Sequence, residues 1–297
     1  MTTAFGIIII GDEILSGKRA DKHLPKAIEL LGARGLQLAY ANYVGDDPAR
    51  ITATLTRAFD AARAQGDVLF SCGGIGATPD DHTRQCAAAA LGVGLELHTQ
   101  AKELITERMQ DTAKEQGVLF DAKRSDNIHR LNMGMFPAGA EIIPNPYNKI
   151  PGFSCFVEPE EHRRCVTAPL GRMEPHDANA RGGIHFLPGF PVMAWPMIEW
   201  VLDHCYPHLH QESAWVEKSV IVLGSMEATL TPLMLDIEAA YLGVKVFSLP
   251  SVDHPVHGRH IELGVKGAPA IVAHAYPALL TGLANFQLTL GPELVRN

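Results

Sequence analysis

The sequence contains no apolar run approaching the roughly 18 unbroken residues that a membrane-spanning helix needs, so no membrane partner is expected. Its amino terminus, MTTAFGIIIIGDE, lacks a basic start, and its apolar stretch is too short for a signal peptide; it reads as a first strand. There is no cluster of basic residues either. Lys and Arg number 25 against 33 Asp and Glu, and a net charge of −8 argues against general nucleic-acid binding. Cysteine is sparse: Cys72, Cys86, Cys155, Cys165 and Cys205 are odd in number and show no CxxC spacing. That pattern excludes a disulfide framework and a structural zinc site and points to the reducing cytoplasm. No fixed-period repeat or low-complexity tract occurs. What is present is ordinary globular material, 46% hydrophobic and 20% charged over 297 residues, enough for one large domain and a smaller one.

The first half alternates strand and helix signals, as in a parallel sheet covered on both faces. Phe5 to Ile10, LQLAYANYV and Asp67 to Ser71 read as buried strands. Helices are expected over Asp21 to Ala33, from Asp47-Pro48 onward with Ile51, Leu55, Ala58 and Phe59 on one face, after an Asp80 or Asp81 cap, and over Thr99 to Gln116. Residues 117–150 read as strand-poor apart from AEIIPN, and residues 158–183 as a polar insertion. GIHFLPGFP supplies a further strand and a sharp turn, followed by a helix, VMAWPMIEWVLDHCY, that Pro196 is expected to kink or to start. The fold class is therefore α/β, a three-layer αβα arrangement over residues 1–212. A small α+β domain over 213–297 follows in β-α-β-β-α order.

Three loops leave predicted strands at their carboxyl ends, where ligands gather in such sheets. They are GDEILSG (Gly11 to Gly17), VGDDP (Val44 to Pro48) and GGIGATPDDHT, which starts at Gly73. Gly73, Gly74 and Gly76 allow backbone N–H groups around Ile75 to approach an anion closely, and the helix beyond adds its positive end. Asp80 and Asp81 would repel a phosphate unless a cation stood between them. A phosphate or pyrophosphate ligand held with a divalent metal, magnesium above all, reconciles the two. Asp46, Asp80 and Asp81 are the expected metal ligands, with Asp12 and Glu13 able to approach from the first loop. Ser16, Thr78 and Thr83 are candidate phosphate hydrogen-bonders. Read singly, such glycines and aspartates mark only a tight turn and a helix cap.

These three motifs, in this order, resemble the molybdopterin-binding domain of MoaB/MogA-type proteins, and more closely the CinA branch, the competence/damage-inducible protein A homologues. The resemblance runs over most of residues 4–205 and continues through NKIPGF (Asn148 to Phe153) and LPGFP (Leu187 to Pro191), adding Asn148, Pro188 and Gly189 to the expected ligand contacts. The module from Trp215 resembles the small domain that follows in that branch. The branch's carboxyl-terminal amidohydrolase domain is not expected in a chain that stops at Asn297. By position, Asp46 and Asp81 correspond to the two catalytic aspartates that the resemblance to MogA-like members implies. The branch implies a metal-dependent pyrophosphatase acting on ADP-ribose, and a homo-oligomer, dimer or trimer. MogA-like members imply adenylyl transfer onto molybdopterin, and a pterin- or nucleotide-binding protein without turnover is a third reading. The chain departs from the branch at ADKHLPK, where an Asn is common, at Lys149 in NKIPGF, and at Val192-Met193, where Glu-Met is usual.

Three other features invite chemistry. The clusters His204, His208 and His210, and His254, His257 and His260, lack an evident carboxylate partner and have ordinary readings as a helix end and an exposed loop. Cys72 abuts the glycine loop, but a small apolar residue also suits a strand end. Lys149 is placed either on phosphate or in solvent.

Overall fold

The computed structural model describes residues 3–158, 181–210 and 215–296. The chain divides into two compact units, residues 1–210 and 211–297.

The first unit is built on a six-stranded sheet of β1 (Phe5–Ile10), β2 (Leu38–Val44), β3 (Val68–Cys72), β6 (Glu141–Ile143), β7 (Gly152–Val157) and β8 (Gly182–Leu187), in the order β2-β1-β3-β8-β7-β6. β2, β1, β3 and β8 are parallel, while β7 runs antiparallel to both of its neighbours. Every residue of β1, β3 and β8 is buried, so these strands read as continuous apolar runs rather than alternating ones. The pleat still sorts them by face. Ile8, Ile10 and Leu69 pack with Ile51, Leu55 and Phe59 of α3 (Pro48–Gln65), with Cys86 and Ala87 of α4 (Thr83–Leu91), and with Ile105 of α5 (Thr99–Glu115). Phe5, Ile7, Ile9 and Phe70 pack on the opposite face against Ala27 and Leu31 of α2 (His23–Gly32) and Met197 and Val201 of α7 (Pro191–Cys205). Three layers result. Short elements complete the unit: α1 (Asp12–Leu15), α6 (Ser125–Leu131), and the two-stranded pair β4 (Leu95–Leu97) and β5 (Met135–Pro137).

Several expectations are corrected. β7, where no strand was expected, lies inside the sheet, and its Phe153 stacks 4.5 Å from both Phe136 and Phe186. Gly182 and Gly183, assigned to the insertion, begin β8, because a Cβ at Gly182 would lie 2.5 Å from the Ala62 carbonyl and the strand needs its glycine there. Residues 159–180 of the expected insertion lie outside the described residues. Pro196 lies inside α7 and does not mark its start, which falls five residues earlier at Pro191, where a missing N–H is harmless.

The second unit is an antiparallel sheet, β10-β11-β9-β12, formed by β9 (Val216–Leu223), β10 (Lys245–His254), β11 (Gly258–Gly267) and β12 (Thr289–Arg296). The helices α8 (Glu227–Ala240) and α9 (Pro269–Leu283) cover one face around Val220, Val222, Leu263, Val265 and Leu279. β12 is an addition to the expected β-α-β-β-α order.

Candidate functional site

Strand register places the site. Ile10 of β1 pairs with Val44 of β2, Ile9 with Cys72 of β3, and Cys72 with Leu187 of β8, so four chain segments leave the sheet at one edge. Gly11 donates to the Val44 carbonyl and Gly73 to the Leu187 carbonyl, each at 3.0 Å, which ties those exits together. A cavity of about 720 Å³ opens there.

The glycine loop forms one wall. A Cβ on Gly73 would fall 2.2 Å from the Ile10 carbonyl oxygen, so the loop can cross the end of β1 only with glycine at that position. Gly74 has φ +68° and would strike Thr83 Oγ1 at 2.1 Å, excluding any side chain on both counts. Ile75 anchors the loop by burying its side chain in the α3–α4 core while its backbone faces the cavity. Among the described residues, the amides of Gly74, Ile75, Gly76 and Ala77 have no hydrogen-bond acceptor. Four consecutive N–H groups without an acceptor, on residues that line the cavity, are of the kind that suits an anion.

Acidic groups face that wall. Asp12 and Asp46 exchange bonds: the Asp12 amide donates to Asp46 Oδ2 at 2.8 Å, and the Asp46 amide to Asp12 Oδ1 at 3.2 Å. Burial raises the Asp46 pKa from its ordinary value. The nearby Asp12, Glu13 and Asp80 carboxylates push it the same way, against the Asp12 N–H bond. Glu13, Asp46, Asp80 and Asp81 line the cavity against two basic side chains, Lys18 and Arg19, a formal surplus of two negative charges. The remaining wall is apolar, from Met133, Ile150, Pro151, Phe190 and Met193.

Of the expected site residues, Gly11, Glu13, Asp46, Gly73, Gly74, Ile75, Gly76, Thr78, Asp80, Asp81, Asn148, Pro188 and Gly189 all line this one cavity. Asp12, Ser16 and Thr83 do not. Asp12 supports Asp46, and Ser16 is exposed at the end of α1. Thr83, expected on phosphate, is buried, and its hydroxyl donates to the Gly73 carbonyl at 3.1 Å while its amide donates to that of Gly74. It pins the loop. Asp81 does not cap α4, whose N-cap is His82; its Oδ2 instead accepts the Thr78 amide and hydroxyl at 2.8 and 2.5 Å. Asn148 orders its own loop, accepting from Asn145 and the Ile150 amide. Lys149 is directed at neither phosphate nor free solvent: its ammonium bonds Glu107 at 2.5 Å and Asp111 at 2.8 Å on α5.

Among the described residues no group of three or more His, Cys, Asp or Glu side chains is gathered closely enough to hold a metal ion alone. Asp46, Asp80 and Asp81 therefore do not form a ready-made cage. Cys72 is fully buried and its thiol pKa is pushed up, which fits a packing residue and not a nucleophile.

Lys18, Arg19, Asn145 and His23 were not legible as site residues. Lys18 and Arg19 sit in a segment whose only sequence signal is a pair of basic residues after GDEILSG. His23 is buried, and its Nε2 lies 3.1 Å from the Gly189 carbonyl, linking α2 to the LPGFP turn.

A mostly parallel sheet between helical layers, with a glycine loop and an acidic cavity at its strand ends, defines the class as an α/β domain with a candidate ligand site. Residues 6–211 match the family model described as a probable molybdopterin binding domain, and the chain belongs to that family. A CinA-like protein of Anaeromyxobacter sp. (strain K) is 32% identical over 67% of this chain and 40% of its own length. A putative competence-damage inducible protein of Alkaliphilus metalliredigens is 29% identical over 78% of this chain and 47% of its own length. The chain thus spans about half or less of the length of these curated relatives. The crystal structure of the protein CinA with unknown function from Thermoplasma acidophilum has the same fold over 69% of this chain and 99% of its own, with a TM-score of 0.50 and 21% identity.

Proposed function

We propose that the first unit is a divalent-cation-dependent hydrolase of nucleotide-type pyrophosphates, with ADP-ribose as the substrate favoured by the CinA-type motifs. One observation carries this reading: a single cavity joins four unpaired backbone amides to four carboxylates. Amides alone would suit a phosphate, but a cavity with two surplus negative charges repels one. A divalent cation arriving with the phosphate cancels that surplus.

The donor set fits such a complex. Magnesium is commonly held by one or two carboxylates together with substrate phosphate oxygens and water, without an all-protein cage. Asp46, Asp80 and Asp81 would supply the protein oxygens. When bound, the cation offsets charge on the phosphoryl oxygens. The chain's own residues do the rest. The amides of Gly74 to Ala77 orient the phosphate, and Lys18 and Arg19 stand at the same cavity for its remaining charge. The wall of Met133, Ile150, Phe190 and Met193 excludes water from a flat base or pterin ring. Asp46, whose pKa burial raises, would be the group that accepts a proton from an attacking water.

The test is a panel of nucleotide pyrophosphates incubated with several divalent ions, with products identified. Asp81→Asn should retain the fold, since an amide oxygen still accepts from Thr78, and should lose activity by about a hundredfold, the usual scale for such groups. Equal activity in that variant removes the mechanism. A second reading, binding of a pterin or nucleotide without turnover, is favoured by the internal commitments of the Asp46 and Asp81 oxygens. Tight binding with no product over long incubation would select it. Adenylylation of molybdopterin is checked by complementing a strain lacking that step.

A further inference from the structure

Arg84, 4% exposed, is the one buried Arg or Lys among the described residues, and it follows Thr83 in the first turn of α4. Its Nη1 donates to the Ile75 carbonyl and, at 2.6 Å, to the Gly76 carbonyl. Its Nε is buried without a hydrogen-bond partner, and among the described residues Arg84 forms no ion pair. Burial pulls its pKa down from the ordinary value, and only Asp81 opposes the shift. An unpaired buried charge is strongly unfavourable unless something answers it. Arg84 does not line the ligand cavity; it lines a separate recess that shares Ala77, Thr78 and Asp81 with that cavity, so the glycine loop stands between the two.

Peptide geometry supplies the connection. In a trans peptide the N–H points opposite to the C=O of the same plane. No peptide bond among the described residues is cis. With the carbonyls of Ile75 and Gly76 turned onto Arg84, the N–H groups of Gly76 and Ala77 turn away from it. These are two of the four amides that lack an acceptor.

We propose that Arg84 is a positioning residue for an anion cradle: its guanidinium fixes two successive peptides with their N–H groups toward the cavity and supplies the positive charge behind them. This rests on the phosphate-ligand reading above and extends it to a named source of loop order and charge. Both bonds run from the two hydrogens of one nitrogen, Nη1, a pairing that the ammonium of Lys, on a stem of different reach, reproduces in part. An anionic ligand beyond the loop would add to the counter-charge of Asp81, with which Arg84 forms no ion pair among the described residues.

The test titrates inorganic pyrophosphate, with magnesium, into wild type, Arg84→Lys and Arg84→Met. Affinity is measured by calorimetry, folding by circular dichroism, and the Gly76 and Ala77 amides by NMR. In wild type those two amide resonances should move downfield on binding. Arg84→Lys should weaken binding about three- to tenfold and Arg84→Met at least thirtyfold, with the downfield movement reduced in step. If Arg84→Met does not fold, Arg84→Lys decides. Folded variants that bind within twofold of wild type overturn the inference, as does wild-type binding that leaves both amides unmoved. A wild type that binds no pyrophosphate at all removes the phosphate reading itself, and the cradle with it.

Discussion

Gly74→Ala examines the glycine loop where its geometry is most constrained. The added methyl would meet Thr83 Oγ1 at 2.1 Å, and the residue would have to hold φ +68°. The left-handed conformation costs a non-glycine residue about 1 kcal/mol or somewhat more. To clear the clash, Thr83 must rotate and release the 3.1 Å bond to the Gly73 carbonyl, worth about 1–2 kcal/mol when a buried acceptor is left unpaired. The two effects predict a loss of about 2–3 kcal/mol for Gly74→Ala. Thr83→Ala removes the bond and the hydroxyl that the methyl would strike and leaves the residue-83 Cβ at 3.2 Å, so in that background Gly74→Ala should cost the backbone strain and little more, about 1 kcal/mol. The double-mutant cycle therefore predicts a coupling of about 1–2 kcal/mol. Urea denaturation read by Trp195 and Trp200 fluorescence, in a Trp215→Phe background, measures each corner. Additivity within about 0.3 kcal/mol would show that Thr83 does not hold this loop, and the account of the cavity wall would fail.

Three further outcomes are expected. Burial lowers the His185 pKa from 6.5 to about 3 within a network in which Ser154 Oγ lies 2.8 Å from its Nδ1 and the Tyr206 hydroxyl 2.9 Å from its Nε2. The unfolded chain therefore binds the extra proton between those values, and stability should fall by up to about 1.4 kcal/mol per pH unit as pH drops below 6.5; His185→Gln should flatten that slope in acid denaturation curves. Phe153→Ala, which removes a ring stacked between Phe136 and Phe186, should cost about 3–5 kcal/mol in urea denaturation. Lys149→Ala should change stability by less than about 1 kcal/mol, as expected of an exposed ion pair, and leave ligand affinity unchanged in a calorimetric titration.

Local pattern carried much of the fold. Phe5 to Ile10 is readable as a strand because both faces of the sheet are covered, and Asp47-Pro48 is readable as a helix start because the Asp47 side chain accepts the Arg50 amide. β7 was not readable: GFSCFV follows a turn-rich segment, and its antiparallel direction depends on pairing with β6 and β8. The candidate site divides in the same way. Carboxylates at strand ends were legible from the sheet rule alone. The roles of Thr83, Asp81 and Lys149 were not, because each depends on a partner that spacing does not reveal. Lys149 reaches Glu107 across 42 residues, and Asp81 turns back to Thr78 instead of forward to its helix. Arg84 gave no sequence signal, since an Arg in the first turn of a helix ordinarily reads as a solvated side chain.

The central claim is that the amide wall accepts a phosphate group only when a divalent cation relieves the carboxylates around it. Calorimetric titration of pyrophosphate into the wild-type protein, with magnesium and then with chelator, tests this most directly. Binding at least tenfold tighter in magnesium is predicted. Equal affinity in chelator would contradict the account.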